Sequence, residues 1–142
     1  MKAKVAVNLF LTNDCDEILM LRRLNTGFKD GEYGLVAGHV EDGESLKGAM
    51  IREASEEAGI TLSPDKLEVV GVIPSLFDDY VYFFLSADVW HGDVRNMEPE
   101  KCDDMRWFHL GKLPENTVSY IRLAIENYLD GKWFSEIKAA DI

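Results

Sequence analysis

The sequence has few cysteines and no long apolar run. Its two cysteines, Cys15 and Cys102, are too few and too far apart for a disulfide framework or a zinc site, so we expect ordinary reduced thiols. No apolar stretch reaches the roughly 20 residues that are needed to span a bilayer. The N-terminal apolar run is interrupted by Asn8 and lacks the small-residue pattern of a signal-peptide cleavage site. These absences favour a soluble, cytoplasmic protein without a membrane partner.

Positive charge is also scarce. The 142 residues include 15 lysines and arginines against 26 aspartates and glutamates, which gives a net charge of -11 with no basic run to offset it. Such a chain is a poor partner for a long nucleic acid or an anionic membrane, and RNA decapping is disfavoured for the same reason. A small phosphate-bearing molecule is still compatible, provided that a bound metal reverses the sign of the local field.

The apolar pattern predicts a single domain over residues 1–142, in the order strands, helix, strands, helix. Strands are predicted at 4–11, 17–21, 35–36, 67–73, 80–90 and 105–109. One helix is expected between Ser45, its cap, and Gly59, and a second over 118–129 before Gly131. A mixed β-sheet between two amphipathic helices buries both apolar stripes, so the expected fold class is an α/β sandwich.

Acidic residues crowd the first predicted helix. Glu53, Glu56 and Glu57 lie within about one turn of one another and share a face of the helix. Since this face borders the apolar stripe, three like charges are partly withdrawn from water, which is costly without a compensating cation. Mg²⁺, or Mn²⁺ in its place, prefers oxygen ligands and commonly shares its coordination sphere with substrate phosphates. The helix therefore predicts a divalent metal site for a phosphate-rich small molecule.

The residues around this helix suit the same chemistry. Arg52 can reach back to Glu44 or Glu56, orient that carboxylate and lower its pKa, and we expect a salt bridge there. Gly38 and Gly43 allow the preceding loop to bend and to bring backbone N–H groups close to a ligand. Glu44 is placed near the positive end of the helix dipole, where a carboxylate is favoured.

The spacing of these residues resembles the Nudix signature. The matching positions are Gly38, then after five residues Glu44, after seven more Arg52 and Glu53, and finally Glu56, Glu57 and Gly59. Ala54 departs from the larger aliphatic residue that the family usually has, whereas Ile60 fits the final apolar position. The order of strands and helices also resembles the family, in its MutT-like form, over nearly the whole chain. The resemblance implies an α/β/α sandwich and a Mg²⁺-dependent hydrolase that acts on a nucleoside diphosphate linked to another moiety.

The resemblance further implies roles for the residues of the motif. Glu53, Glu56 and Glu57 would be metal ligands, and one of them would help to deprotonate the attacking water. Glu44 and Arg52 would support these ligands in catalysis. The physical logic is that a metal ion lowers the pKa of bound water and stabilises the leaving phosphate.

Outside the helix the implied roles are fewer. The backbone carbonyl of Gly38 would complete the metal's coordination, and a loop carboxylate, Glu98 in preference to Glu100, would be a further ligand or the base. Substrate contacts are expected from five side chains: Arg23, His39, Tyr82, Trp107 and Phe108. Each has an ordinary alternative, namely an ion pair for Arg23, a hydrogen bond for His39 and core packing for the aromatic rings.

Three functions follow as expectations. The first is hydrolysis of a nucleoside triphosphate, such as an oxidised dGTP, to the monophosphate and pyrophosphate. The second is cleavage of ADP-ribose or a nucleotide sugar in the same site. The third is a non-catalytic nucleotide sensor on a Nudix scaffold, which is disfavoured because no motif glutamate has been lost. The sequence leaves open the base, the leaving group, the number of metals and whether the chain forms a homodimer.

Overall fold

The computed structural model describes residues 3–138, which form two β-sheets and two α-helices. The strands are β1 Lys4–Leu11, β2 Glu17–Arg23, β3 Tyr33–Gly34, β4 Ala37–His39, β5 Glu68–Pro74, β6 Tyr80–Ala87 and β7 Cys102–His109. The helices are α1 Leu46–Ala58 and α2 Ser119–Leu129, with a 3-10 turn at Pro64–Lys66. Within this range no helix has the length and apolar character that a membrane span requires.

The larger sheet is mixed and has the strand order β4-β1-β6-β5. Strand β1 runs parallel to β6 and antiparallel to β4, while β5 is antiparallel to β6. The smaller sheet, β3-β2-β7, is antiparallel throughout. The predicted α/β class with a mixed sheet and two helices is therefore confirmed. The second sheet is an addition that strand patterning alone did not separate from the first.

Alternate residues of β1 enter two apolar cores. Val7 is fully buried in the core that also contains Met50 of α1. Its neighbour Ala6 belongs to the other core, which contains Ile121 of α2. Because successive side chains of a strand point to opposite faces of the sheet, this one strand supports both cores. The two helices consequently cover opposite faces, as an α/β/α sandwich requires.

Several of the predicted strand bounds differ from the structure, and three of the differences are the largest. Leu35 and Val36 are buried, but they form the link between β3 and β4, which belong to different sheets. Their apolar character therefore reflects packing rather than membership of a strand. Strand β6 ends at Ala87 rather than at residue 90, and β7 already begins at Cys102 rather than at residue 105.

Helix α1 begins and ends where the sequence predicts. The Ser45 hydroxyl accepts a hydrogen bond from the Gly48 N–H at 2.9 Å, and Gly59 ends the helix in the left-handed conformation with φ 68°. The buried face of α1 consists of small residues and one methionine: Ala49, Met50, Ala54 and Ala58. Small side chains let the helix pack closely on the sheet, so its glutamates are held near strand β4.

Candidate active site

A cavity of about 630 Å³ opens at the edge strand β4, where α1, the end of β2 and the loop before β7 meet. Most of the site residues expected from the sequence line this cavity: Arg23, Gly38, His39, Arg52, Glu53, Glu56, Glu57 and Glu98. Glu44 is not among its lining residues but is bound to Arg52, which is. The structure thus brings the signature helix and the later Glu98 loop to one place.

Glu53 lies directly against the backbone of β4. A Cβ atom built on Gly38 would overlap the Glu53 carboxylate and would lie 2.7 Å from the Glu53 Cγ atom. The Glu53 side chain is only 14% exposed, whereas that of Glu56 is 53% exposed. Only a residue without a side chain leaves room for a carboxylate so close to the strand. The requirement for glycine at position 38 is therefore steric.

Glu57 is the most deeply buried carboxyl group of the site. Burial raises its pKa well above the usual value, and the hydrogen bond with Glu53 and the negative charge of that residue add to the rise. The Ala37 N–H donates to Glu57 Oε2 at 3.3 Å and opposes the rise, since it favours the charged form. The negative charge of Glu98 raises the pKa of Glu57 further. This carboxyl group therefore favours a proton or a nearby cation.

Arg52 is a cation that contacts the carboxylates of the site directly. Its Nη1 donates to Glu53 Oε1 at 2.8 Å and to Glu56 Oε2 at 3.4 Å. Its Nη2 donates to the backbone carbonyl of His39 at 3.0 Å, which ties the helix to the end of β4. The expected salt bridge to Glu44 is present as well, with both carboxylate oxygens engaged. One guanidinium thus orients three carboxylates and a strand end.

Glu44 is held as an anion by two kinds of donor. Hydrogen bonds from Arg52 lower its pKa to about 2, and the Glu41 N–H, which donates to Glu44 Oε1 at 2.9 Å, contributes in the same direction. The Glu44 N–H in turn donates to the Glu41 carbonyl at 3.0 Å and closes the turn before α1. The sequence expectation that Arg52 would orient Glu44 and lower its pKa agrees with this geometry.

The structure separates the two loop carboxylates that the sequence left as alternatives. Glu98 is partly buried and lines the cavity, whereas Glu100 is exposed and does not line it. The Glu98 N–H donates to Asn96 Oδ1 at 3.0 Å, and the Glu98 carbonyl accepts from the Lys101 and Cys102 N–H groups. Of the two, Glu98 is therefore the loop carboxylate that lines the same cavity as Glu57.

The donor atoms suit a hard cation, although they are not arranged around one. Glu53, Glu56, Glu57 and Glu98 offer carboxylate oxygens, the ligands that Mg²⁺ prefers. Among residues 3–138 no group of three or more His, Cys, Asp or Glu side chains is arranged to hold a metal ion. Instead Glu53 and Glu56 contact Arg52, and Glu57 hydrogen-bonds with Glu53. The residues therefore fit Mg²⁺ by the chemistry of their donor atoms, and binding would require these side chains to turn toward the ion.

Arg23 and His39 stand on the walls of the cavity and have partners in the protein. Arg23 Nε donates to the Phe28 carbonyl at 2.6 Å and its Nη2 to the Thr26 hydroxyl at 3.1 Å. His39 Nε2 lies 3.0 Å from the Tyr80 hydroxyl. The Arg23 contacts are hydrogen bonds to a loop rather than the alternative surface ion pair, and they hold its guanidinium at the cavity wall.

The three aromatic residues expected to contact substrate do not line the cavity in the described chain. Tyr82 is 7% exposed and stacks on Tyr120 with ring centroids 4.5 Å apart. Trp107 stacks on Trp90 at 5.9 Å, and Phe108 packs edge-on against Tyr33 at 5.0 Å. For all three the core-packing alternative matches the geometry, because their strand register turns the rings toward other parts of the protein.

Sequence reasoning missed several polar residues of the cavity wall. Asn25 and Thr26 follow β2, and Asn96 and Lys101 flank the Glu98 loop. None of them belongs to the signature, and polar loop residues without a motif carry little signal of their own. These residues could have been predicted only from their closeness in sequence to Arg23 and Glu98.

The two-sheet sandwich and its glutamate-bearing helix define a fold of the Nudix type. A model of the NUDIX domain matches residues 2–128, and the chain belongs to this family of hydrolases. The solved MutT NUDIX hydrolase from Burkholderia pseudomallei superposes with a TM-score of 0.79 and 26% identity, over 89% of this chain and 98% of that one. The MutT protein from Methanosarcina mazei has a TM-score of 0.77 and 25% identity, with 91% and 94% covered.

Curated relatives point to another branch of the same family. The NAD-capped RNA hydrolase NudC of Stutzerimonas stutzeri is 34% identical over 116 residues, which is 80% of this chain and 40% of the relative. The protein of the same name from Pseudomonas aeruginosa is 33% identical over 99 residues. The chain thus spans less than half the length of these curated relatives, while it spans nearly all of the MutT structures.

Proposed function

We propose that this protein is a Mg²⁺-dependent pyrophosphohydrolase that cleaves a nucleoside diphosphate linked to another moiety. The first candidate substrate is a nucleoside triphosphate, including an oxidised one such as 8-oxo-dGTP, which would yield the monophosphate and pyrophosphate. The observation that carries the proposal is the convergence of Glu53, Glu56, Glu57 and Glu98 on one cavity of about 630 Å³. Cavities of roughly 300–1,000 Å³ are typical of small-molecule sites.

The glutamates of the helix would hold the ion. Glu53, Glu56 and Glu57 supply carboxylate oxygens, with Glu98 and the Gly38 carbonyl as further donors. When bound, Mg²⁺ supplies positive charge that neutralises phosphate oxygens and makes a nearby water more acidic. A glutamate that is not engaged as a ligand would accept the proton of the attacking water, and our candidate for this role is Glu98, which lines the cavity from a separate loop.

Arg52 has a supporting role in this proposal. Its two hydrogen bonds to Glu44 fix the guanidinium even when Glu53 and Glu56 turn toward an ion. The anchored guanidinium keeps a positive charge beside these carboxylates and limits their mutual repulsion. Glu44 therefore contributes to the site without lining the cavity.

The lining of the cavity also offers positive charge for the phosphates of a substrate. Arg23 and Lys101 both line the cavity in a protein whose net charge is -11. A guanidinium held by a loop carbonyl and by a threonine hydroxyl is already ordered before substrate arrives. These groups and the metal site would together orient a chain of phosphates, which supports a triphosphate or a diphosphate-linked substrate.

A second candidate is a dinucleotide, and the similarity to the NudC proteins favours it. Their name describes hydrolysis of NAD-capped RNA, and NAD contains the same internal diphosphate as ADP-ribose or a nucleotide sugar. The same glutamates could serve such a bond. The net charge of -11 argues for a free dinucleotide rather than a long RNA. In either case we expect the activity in the cytoplasm, where both free cysteines would stay reduced.

A substrate panel tests the proposal. With Mg²⁺ present we expect turnover of at least one compound among dGTP, 8-oxo-dGTP, ADP-ribose, NAD and an NAD-capped RNA, and loss of turnover on addition of a chelator. Pyrophosphate release from the triphosphates would favour the first candidate, and mononucleotide release from NAD or ADP-ribose the second.

The test variant is Glu57→Gln, in the site. Its matched control is Glu126→Gln, because Glu126 is exposed on α2. Glu57→Gln should lower kcat at least about 100-fold, since even outer-shell partners of metal sites contribute 10–100-fold, while Glu126→Gln should match the wild type. Tight nucleotide binding without any hydrolysis would contradict the hydrolase proposal and favour the non-catalytic nucleotide sensor. Turnover that is equal in wild type and Glu57→Gln would contradict the assignment of the site.

A further inference from the structure

The loop that carries Glu98 is fastened to the end of the helix that carries Glu57. The Met97 N–H donates to the Glu57 carbonyl at 3.1 Å, and the Arg95 N–H donates to the Ala58 carbonyl at 3.0 Å. Carbonyls in the last turn of a helix have no intrahelical donor, so the loop supplies donors that the helix lacks. The backbone distance between the two glutamates is set by these bonds.

The segment that leads into this loop is also bonded to the residues that follow α1. Thr61 and His91 exchange two backbone hydrogen bonds, at 2.9 and 3.0 Å, just beyond the end of α1. The side chains of Arg95 and Met97 pack over Gly59, because a Cβ there would lie 3.0 Å from Arg95 Nε and 3.2 Å from Met97 Sδ. Residues 91–97, which precede Glu98, therefore contact the end of α1 and the residues just after it at several points.

Asn96 completes this attachment with its side chain. Its Nδ2 donates to the Cys102 carbonyl at 2.7 Å, at the first residue of β7. Its Oδ1 accepts from the Glu98 N–H at 3.0 Å. One amide group thus joins the strand that follows the loop to the backbone of Glu98 itself. A carboxamide is suited to this position because it presents a donor and an acceptor a fixed distance apart.

We propose that Asn96 is a positioning residue that sets where the Glu98 carboxylate stands relative to Glu57. The inference rests on the proposed function, in which Glu98 is a metal donor or the base. Asn96 lines the cavity wall, but its side-chain hydrogen bonds go to the backbone of the loop and of β7, so it acts through Glu98. Aspartate at this position would keep the acceptor for the Glu98 N–H and lose the donor to Cys102.

The test is a double-mutant cycle of Asn96→Asp and Glu98→Gln. With the nucleotide that the substrate panel identifies, Asn96→Asp should lower kcat by about 10- to 100-fold, as outer-shell partners do, and change KM for the nucleotide little. In the Glu98→Gln background the same substitution should have almost no further effect, because no carboxylate is left to position. An equal loss in both backgrounds would overturn the proposal, since Asn96 would then act independently of Glu98.

A second readout does not depend on turnover. Titration of the metal-free protein with Mg²⁺ by calorimetry should give a weaker affinity for Asn96→Asp than for wild type. If Glu98→Gln alone has full activity and full Mg²⁺ affinity, the positioning role is overturned while the pyrophosphohydrolase assignment still stands. If the panel shows no turnover at all, the proposed function itself fails, and the two failures are thus distinguishable.

The matched control is Asn13→Asp. Asn13 also donates with Nδ2, to Glu17 Oε1 at 2.9 Å, and also accepts backbone N–H groups, but it lies in the β1–β2 turn and does not line the cavity. It should match wild type in kcat and Mg²⁺ affinity. Should Asn96→Asp fold poorly by thermal melting, Asn96→Ser takes its place in the cycle with the same expected and contradicting results.

Discussion

The Arg52 guanidinium binds both carboxylate oxygens of Glu44, with Nε 2.8 Å from Oε2 and Nη2 3.0 Å from Oε1. This two-point contact uses the Nε and Nη2 atoms on one edge of the guanidinium. The remaining Nη1 group donates to Glu53 and Glu56. The fixed angle between these donors means that the orientations of Glu44, Glu53 and Glu56 are set together.

Arg52→Lys should therefore lower activity although it keeps the charge. A lysine has a single ammonium group and cannot bind Glu44 at two points while it also contacts Glu53. We expect kcat to fall by about 10- to 100-fold, the usual effect of losing an outer-shell partner. Steady-state kinetics with Mg²⁺ measure it. The control is Arg106→Lys, because the exposed Arg106 pairs with Asp104 away from the cavity and should tolerate the change. Equal activity of Arg52→Lys and wild type would show that two-point binding is dispensable.

The lowered pKa of Glu44 predicts that the free energy of unfolding decreases at acidic pH. Its pKa is lowered from an ordinary 4.5 to about 2 in the folded chain. A lowered pKa stabilises the folded state above the ordinary value, and that stabilisation is lost as the pH falls through the folded value. Urea unfolding between pH 5 and 2 should accordingly show a steeper loss of stability for wild type than for Glu44→Gln. Parallel curves for the two proteins would contradict the shift.

Gly38→Ala should damage the site while it leaves the fold intact. The new methyl group would overlap the Glu53 carboxylate, and a flexible side chain can turn away at less cost than the backbone can move. We expect loss of most activity, weaker Mg²⁺ binding by calorimetry and a near-normal melting temperature. Gly34→Ala is the control, since a Cβ at Gly34 meets no atom within 4 Å. Activity close to wild type in Gly38→Ala would mean that Glu53 is not needed in its present place.

The raised pKa of Tyr120 predicts that the free energy of unfolding decreases at alkaline pH. Burial raises its pKa from an ordinary 10 to about 12. A raised pKa stabilises the folded state below the ordinary value, and this contribution is lost as the pH rises through the folded value. Wild type should thus lose up to about 2 kcal/mol more than Tyr120→Phe between pH 10 and 12, at 1.36 kcal/mol per pKa unit. Chemical denaturation at several pH values measures the difference, and an identical slope in both proteins would refute it.

The signature helix could be predicted from the sequence because its determinants are local. Ser45 caps α1, Gly59 ends it in the left-handed conformation, and Arg52 meets Glu44, all within one short segment. Helical spacing alone places Glu53 and Glu57 on one face. The position of Glu98 beside this face was inferred from the family resemblance, and the structure favours it over Glu100 because only Glu98 lines the cavity.

The wall of the cavity that would contact substrate could not be predicted in the same way. Whether Tyr82 or Trp107 points toward the cavity depends on strand register, and one step along a strand moves a side chain to the other face of the sheet. Tyr82 opposes Ala6, and Trp107 opposes Leu19, pairings between residues that are far apart in sequence. The role of Asn96 was hidden for a related reason, since its partner Cys102 begins a strand that the apolar pattern placed later.

The parallel pairing of β1 with β6 has a consequence for how the chain folds. Lys4 pairs with Tyr80 and Leu11 with Ala87, so the first strand cannot complete its ladder until residues 80–87 are available. Contacts between such distant segments slow folding, because a long loop must close before they can form. Helix α1 also precedes β6 in the chain, so it is synthesised before the sheet on which it packs can be completed. During synthesis on a ribosome, β1 therefore lacks its parallel neighbour until residues 80–87 have been added to the chain.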